Sequence, residues 1–427
     1  MKMVDVKAVT QAVLNQMIGA KYFPVAEGDE PAAVQNVEAV DSALLVDMGE
    51  VAVGSEAAAD LAYKTMIDQL GKMIIESRSY VASLPSLFVD PIEWGGFVEH
   101  VQVGLSDVYD DEMWNPDGFI NYTDTGGQAY AQKMAEQEHA FYRPRVHSKI
   151  FKEAKAISVR LSTLRDQMFT AFKSLDEMNK FLSALYTSVD NTLQLKAQVY
   201  ALATVATGIG RAMALGHGYD LRTLYNEETG SNIATEAEFR KNDAAMRWAL
   251  GFMANTKDNF SQFSTAFNNG VEPVFTPPSD VKTILLSKFA NDAKFGVRAN
   301  TFHEELIGIG DYERTTAWQG IQTAGENAFS FEAVSKVVFT ADSAEKVGIT
   351  LGEGETSYTI PNVVGVMYDK YALGVTLDKK KTTASYTAGN DSWNTFYHTL
   401  INYICNDNYN IVFFYISDAA NDEGGSE

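Results

Sequence analysis

The stretch SLDEMNKFLSALYTSVDNTLQLKAQVYALATVATGIG, Ser174 to Gly210, decides the fold. Its first four residues form a capping box, in which the Ser174 hydroxyl accepts from the N–H of Glu177 and the Glu177 carboxylate reaches back to that of Ser174. Met178, Leu182, Leu185, Val189, Leu193 and Tyr200 then recur at steps that share one helical face, while Lys180, Asp190, Gln194 and Gln198 take the others. No proline interrupts the run, and Gly208-Ile209-Gly210 is the expected stop. At 1.5 Å per residue the helix would be roughly 50 Å long. A rod of that length with one apolar side needs an equally long partner surface. Because the heptad pattern ends at Gly208 and the flanking sequence is strand-like, that partner is expected to be a sheet or an extended segment.

On the N-terminal side, Phe97, Glu99, Val101, Val103 and Leu105 alternate with Val98, His100, Gln102 and Gly104, the pattern of a half-buried strand. A polar stretch from Ser106 to Glu138 follows, and a second extended run from Phe141 to Ser162 carries Arg143, Arg145, Lys149, Lys152, Lys155 and Arg160. Together the two runs read as a long hairpin with an acidic tip and one basic leg. Flanks of such a hairpin find little core in their own subunit. Further upstream, Ser55 opens a helix with Tyr63, Met66, Ile67, Leu70 and Ile74 inward, and residues 1 to 22 are loosely helical. Between them, Tyr22 to Tyr63 is acidic, contains no Lys or Arg, and intersperses Val34, Val37, Val40, Leu44, Leu45 and Val46. That composition predicts an extended strap lying on a neighbour.

Downstream of the long helix, Thr235-Glu236-Ala237-Glu238 is a second capping box, opening a helix with Phe239, Met246, Leu250 and Met253 inward. All ten prolines lie outside the interval from Arg145 to Glu272, which predicts a mainly helical middle. Past Pro273 the chain becomes strand-rich, with Val281 to Leu286, Val334 to Phe339, Val363 to Met367, Ala372 to Leu377, Thr382 to Tyr386 and Ile411 to Ile416 as strands. Lys288 to Phe295 is expected to form one or two helical turns. Lys379-Lys380-Lys381 is expected at a turn, as a solvated loop or an intersubunit contact.

The 427 residues are 46% hydrophobic, enough for a full core in two or three lobes. A net charge of −22 argues against wrapping nucleic acid and against a polybasic membrane patch. One cysteine, Cys405, excludes a disulfide framework within the chain and reads as a small buried hydrophobe. The N-terminal residues lack the apolar core of a signal peptide, and no apolar run is long enough to span a bilayer. His303-Glu304-Glu305-Leu306-Ile307 starts like a zinc-protease helix, but Ile307 stands where the second histidine must be. His100, His139 and His147 lack a spaced carboxylate or cysteine partner, so no metal site is assigned. Gly208-Ile209-Gly210 followed by Gly216-His217-Gly218 has no preceding strand and no third glycine for a dinucleotide loop. Neither a catalytic constellation nor a cofactor loop emerges. Charge complementarity instead singles out Glu27, Asp29 and Glu30 of the strap against Arg143, Arg145, Lys149 and Lys152 of an adjacent copy.

The order of these parts resembles the major capsid protein of tailed bacteriophages, the α+β Hong Kong 97-type fold. Val364-Gly365-Val366-Met367-Tyr368-Asp369-Lys370-Tyr371-Ala372, Trp393-Asn394-Thr395-Phe396-Tyr397-His398 and Ile411-Val412-Phe413-Phe414 follow a pattern similar to capsid subunits of short-tailed phages. The resemblance implies an N-terminal arm over 1–63, a peripheral-domain helix over 64–93, an extended loop over 94–163 and a peripheral domain with the spine helix over 164–210. It implies an axial domain over 211–320, a possible insertion over 321–363, peripheral-domain strands over 364–405, and a final strand and tail over 406–427. A virion protein without enzymatic activity, cofactor or metal is implied, assembled in the bacterial cytoplasm as pentamers and hexamers around double-stranded DNA. Portal, scaffolding or decoration proteins are its implied partners. Two other readings compete: an encapsulin-like nanocompartment shell, and a carbohydrate-binding or glycan-processing protein suggested by abundant carboxylates with Trp114 and Trp393.

Overall fold

The computed structural model describes residues 6–20, 42–76, 84–88, 98–105, 146–151, 154–298, 311–319, 335–352 and 354–419. Three helices come first: α1 (Val6–Gly19), α2 (Ser42–Gly54) and α3 (Glu56–Glu76). Strands β1 (Val98–Val103), β2 (Val146–Phe151) and β3 (Ala154–Leu164) lead through α4 (Arg165–Ala171) into the long helix α5 (Leu175–Ala214). A helical block follows, with β4 (Gly218–Asp220), α6 (Leu221–Thr229), α7 (Glu236–Lys241) and α8 (Asp243–Asn259). The rest of the chain comprises β5 (Val281–Leu286), α9 (Ser287–Arg298), β6 (Glu313–Thr315), β7 (Val337–Thr340), α10 (Ala341–Val347), β8 (Ser357–Ile360), β9 (Val363–Asp369), β10 (Leu373–Thr387), β11 (Ser392–Cys405) and β12 (Ile411–Tyr415). Helices and largely antiparallel sheets are thus segregated, as in an α+β fold.

Helix α5 threads two cores. Its first half contributes Met178, Leu182, Tyr186, Val189 and Leu193 to a cluster with α1, α2, α3 and α4, closed by Trp393 and Tyr397 of β11. Its second half contributes Ala201, Leu202, Val205, Ala206, Ile209 and Ala212 to a larger cluster. The main wall of that cluster is the five-stranded sheet β4-β12-β9-β5-β6. The partner surface is therefore sheet and helix together, and small residues in the second half let strands approach closely. The Ser174 cap is in place, its hydroxyl accepting from Glu177 N at 3.2 Å.

Several expectations change in three dimensions. The glycines at 208 and 210 do not end the helix; a Cβ on Gly208 would lie 2.8 Å from Leu373, and one on Gly210 2.7 Å from the Phe339 ring. Glycine is needed there for close packing. Termination comes at Gly216, which takes φ +79° while Gly216 N and His217 N bond to the carbonyls of Met213 and Ala212. The helix expected from Thr235 breaks at Asn242, whose side chain accepts from Ala244 N and Ala245 N and so starts α8. All four of its expected inward residues are nevertheless buried.

Residues 42–54 are helical rather than an extended strap, because Leu45, Met48 and Ala52 fall on one helical face and are buried against their neighbours. Lys379–Lys381 lies inside β10, where the pairing with β11 shifts register between Asp378 and Lys381, and not at a turn. Strand β9, expected with the 364–405 strands, hydrogen-bonds to β12 and β5. The returning leg of the hairpin also divides: β2 pairs with β1, whereas β3 joins β10 and β11 in a three-stranded sheet.

Candidate assembly surface

Strands β1 and β2 form an antiparallel ribbon in the register Glu99↔Ile150, His100↔Lys149, Val101↔Ser148, Gln102↔His147 and Val103↔Val146. Opposed residues share a face, so the ribbon has one face with His100, Gln102, His147 and Lys149 and another with Val101, Val103, Val146 and Ile150, joined by Glu99 and Ser148. Usually the apolar side of such a ribbon would turn inward. Here the polar side does.

The polar face is seated on the turn after β11 and on the segment before β5. The Lys149 ammonium pairs with the Asp407 carboxylate, which also stands 3.8 Å from Arg211 Nε in the last turn of α5. His147 Nε2 lies 3.3 Å from Oε1 of the buried Glu272. Asn406 Nδ2 approaches His100 Nδ1 at 3.4 Å, and the His100 ring meets Phe151, Tyr371 and Tyr409 edge-on with centroids 5.5 to 6.4 Å apart. Burial, aided by the nearby Lys149 charge, holds the His100 imidazole below its ordinary pKa, so a neutral ring is favoured in this aromatic setting.

The opposite face is open. Val101 is 55% exposed, Val103 65%, Val146 53% and Ile150 46%, with Leu105 exposed just beyond. Four β-branched side chains facing solvent together, with the exposed Glu99 and Ser148 beside them, are unusual for a monomer and mark an interaction surface.

Of the residues expected to bring copies together, Lys149 alone is described, and its ammonium contacts Asp407 of its own chain. Arg143, Arg145, Lys152, Glu27, Asp29 and Glu30 lie outside the described residues, as do His139, His303 and Trp114. Sequence reading missed the polarity of the ribbon, since Asp407 and Glu272, which turn the polar face inward, are more than a hundred residues away. It also missed Asp407 itself, for which the chain offers no local signal.

Trp393 is buried, stacked on Tyr63 at 4.7 Å, and its indole N–H donates to Asp60 at 3.1 Å. A sugar platform would need that ring face free. Cys405 is partly buried against the larger core, and desolvation pushes its thiol up to about 11. Among the described residues no cluster of three or more His, Cys, Asp or Glu side chains could hold a metal, and no helix is long and apolar enough to cross a membrane.

A family model described as Phi29-like phage major capsid protein matches residues 26–415. The chain belongs to that family. This capsid protein is accordingly a structural component of a phage head, and the nanocompartment and glycan readings give way to it. Among solved structures it is similar to a chain of the Staphylococcus phage Andhra capsid, at 9% identity and TM-score 0.49, covering 78% of this chain and 83% of that one. A chain from a bacteriophage P68 structure of head fiber and inner core protein is 11% identical with TM-score 0.44, covering 78% and 83%. One from the capsid of cyanophage P-SCSP1u is 11% identical with TM-score 0.40, covering 78% and 87%. No curated protein matches.

Proposed function

We propose that copies of this chain close into the pentamers and hexamers of an icosahedral phage head, with a structural and not a catalytic role. The supporting observation is the exposed face Val101, Val103, Val146 and Ile150. Burying each of these half-exposed side chains on a neighbour would contribute about 1 kcal/mol, a few kcal/mol per contact. Such contacts are weak singly and strong when repeated around a shell. A hairpin laid on the next subunit is a heterologous contact, which gives a ring when its rotation closes.

The acidic residues Glu27, Asp29 and Glu30 of one copy would add ion pairs to Arg143, Arg145 and Lys152 of another, Lys149 being held by Asp407 of its own chain. Assembly would take place in the bacterial cytoplasm, with portal, scaffolding or decoration proteins as partners. Double-stranded DNA would be enclosed without sequence-specific contact, in keeping with a net charge of −22. The test is a Val101→Asp/Val103→Asp variant. It should keep wild-type circular dichroism yet form no closed shells by negative-stain microscopy; shells at wild-type frequency would overturn the proposal.

A further inference from the structure

The segment between α8 and β5 carries a second apolar surface. Ser264 and Val274 exchange two backbone hydrogen bonds, of 3.2 and 3.0 Å, and fold the segment onto itself. Phe263 and Phe275 flank that bridge with ring centroids 4.6 Å apart. Both project outward, Phe263 56% and Phe275 44% exposed, and Val271 is 59% exposed. The inner side of the same segment is anchored by buried Phe260 and Phe267 and by Thr276, whose hydroxyl donates to the buried Asp369 carboxylate at 2.7 Å.

Side-chain amides hold the tip. Asn268 Oδ1 accepts from Gly270 N at 2.8 Å, and its amide donates to the Glu272 carbonyl at 2.9 Å. Asn269 Oδ1 accepts from Val271 N at 3.1 Å, while Asn269 N and Nδ2 bond to Asp407 O and Asn408 Oδ1. Three large apolar side chains are therefore displayed on a frame that is already ordered, so a partner that covers them loses little conformational freedom in the process.

Charge identifies the partner. From Ser261 to Ser279 the one charged residue is Glu272, which is buried and faces His147. Copies that each carry −22 repel one another over most of their surfaces. This segment is a neutral place where two can meet. It also adjoins the ribbon, since the buried Glu272 of this segment contacts His147 on the ribbon's inward face.

We propose that Phe263, Val271 and Phe275 form a preorganised contact for a second copy of this chain, beside the hairpin. The proposal rests on the shell reading above. A Val271→Cys variant in a Cys405→Ser background tests it, because Cys405 is only partly buried and would otherwise compete for the label. The N-ethylmaleimide reaction rate is measured on free subunits and on assembled shells, and protection of at least about tenfold is expected in the shell. Equal rates would overturn the proposal and leave the patch open to an accessory protein. In parallel, Phe263→Ser/Phe275→Ser should keep the wild-type melting temperature and raise the critical assembly concentration about tenfold. An unchanged critical concentration would also overturn it. Wild-type shells formed alongside either overturning result leave the shell reading intact, whereas a wild-type chain that never assembles removes both.

Discussion

Replacing Gly210 with alanine separates two explanations for a glycine in the middle of a long helix. Gly251, on the exposed side of α8, serves as the reference, because a Cβ there meets nothing within 4 Å. Gly251→Ala should raise stability by about 0.5–1 kcal/mol through helix propensity alone. At Gly210 the same gain is opposed by contacts of 2.7 and 2.9 Å to the Phe339 ring and 2.9 Å to a Val347 methyl, in a site with a ring on one side and a packed helix on the other. Overpacking of that kind costs about 1–3 kcal/mol. The net change at Gly210 is then between about zero and a loss of about 2.5 kcal/mol, and the two variants should differ by about 1–3 kcal/mol. Urea unfolding of the unassembled subunits measures both. If Gly210→Ala stabilised as much as Gly251→Ala, the close docking of β7 and α10 on the end of α5 would be refuted.

Other perturbations probe the remaining joints. Tyr63→Phe removes the hydroxyl that donates to Thr163 Oγ1 at 3.1 Å and lies 2.9 Å from Thr395 Oγ1, stranding two buried hydroxyls; urea denaturation should show a loss of about 1–2 kcal/mol. Asp407→Asn takes the counter-charge from Lys149 and Arg211, both part-exposed, so the stability loss should stay near 1 kcal/mol or below while amide exchange in β2 quickens; unchanged exchange would contradict the anchoring role. Burial holds His100 and His217 below the ordinary histidine pKa, so the unfolded chain takes up protons first as pH falls. These two groups add no pH dependence well above about pH 6.5, and subunit stability should decline as pH drops from there toward their lower folded values. A melting temperature that rose with acidification over that window would contradict the assignment.

Much of the framework was legible because its signals are local. The Ser174 cap, the spacing of Met178, Leu182 and Val189 and the short apolar run of Val281 to Leu286 each depend on residues within a few positions of one another. Glycines 208 and 210 misled because a propensity argument cannot see Leu373, Ile411 or Phe339 across the chain. Residues 42–54 misled because acidic, small-residue composition hid the helical spacing of Leu45, Met48 and Ala52. The hairpin was readable as a hairpin, but its orientation was not. Which side of a two-sided ribbon turns inward depends on distant partners, here Asp407, Glu272, Tyr371 and Tyr409. Likewise, the outward aromatic pair Phe263 and Phe275 looks in sequence like any core pair, and only the fold leaves it facing solvent.

The most direct measurement is an electron-microscopic reconstruction of the particle formed by the expressed chain. Val101, Val103, Val146 and Ile150 should be covered by an adjacent subunit, with the Lys149–Asp407 contact still holding the polar face to its own body. A shell in which those four side chains face solvent, or a chain that remains monomeric with the ribbon folded over its own core, would contradict assembly through the hairpin.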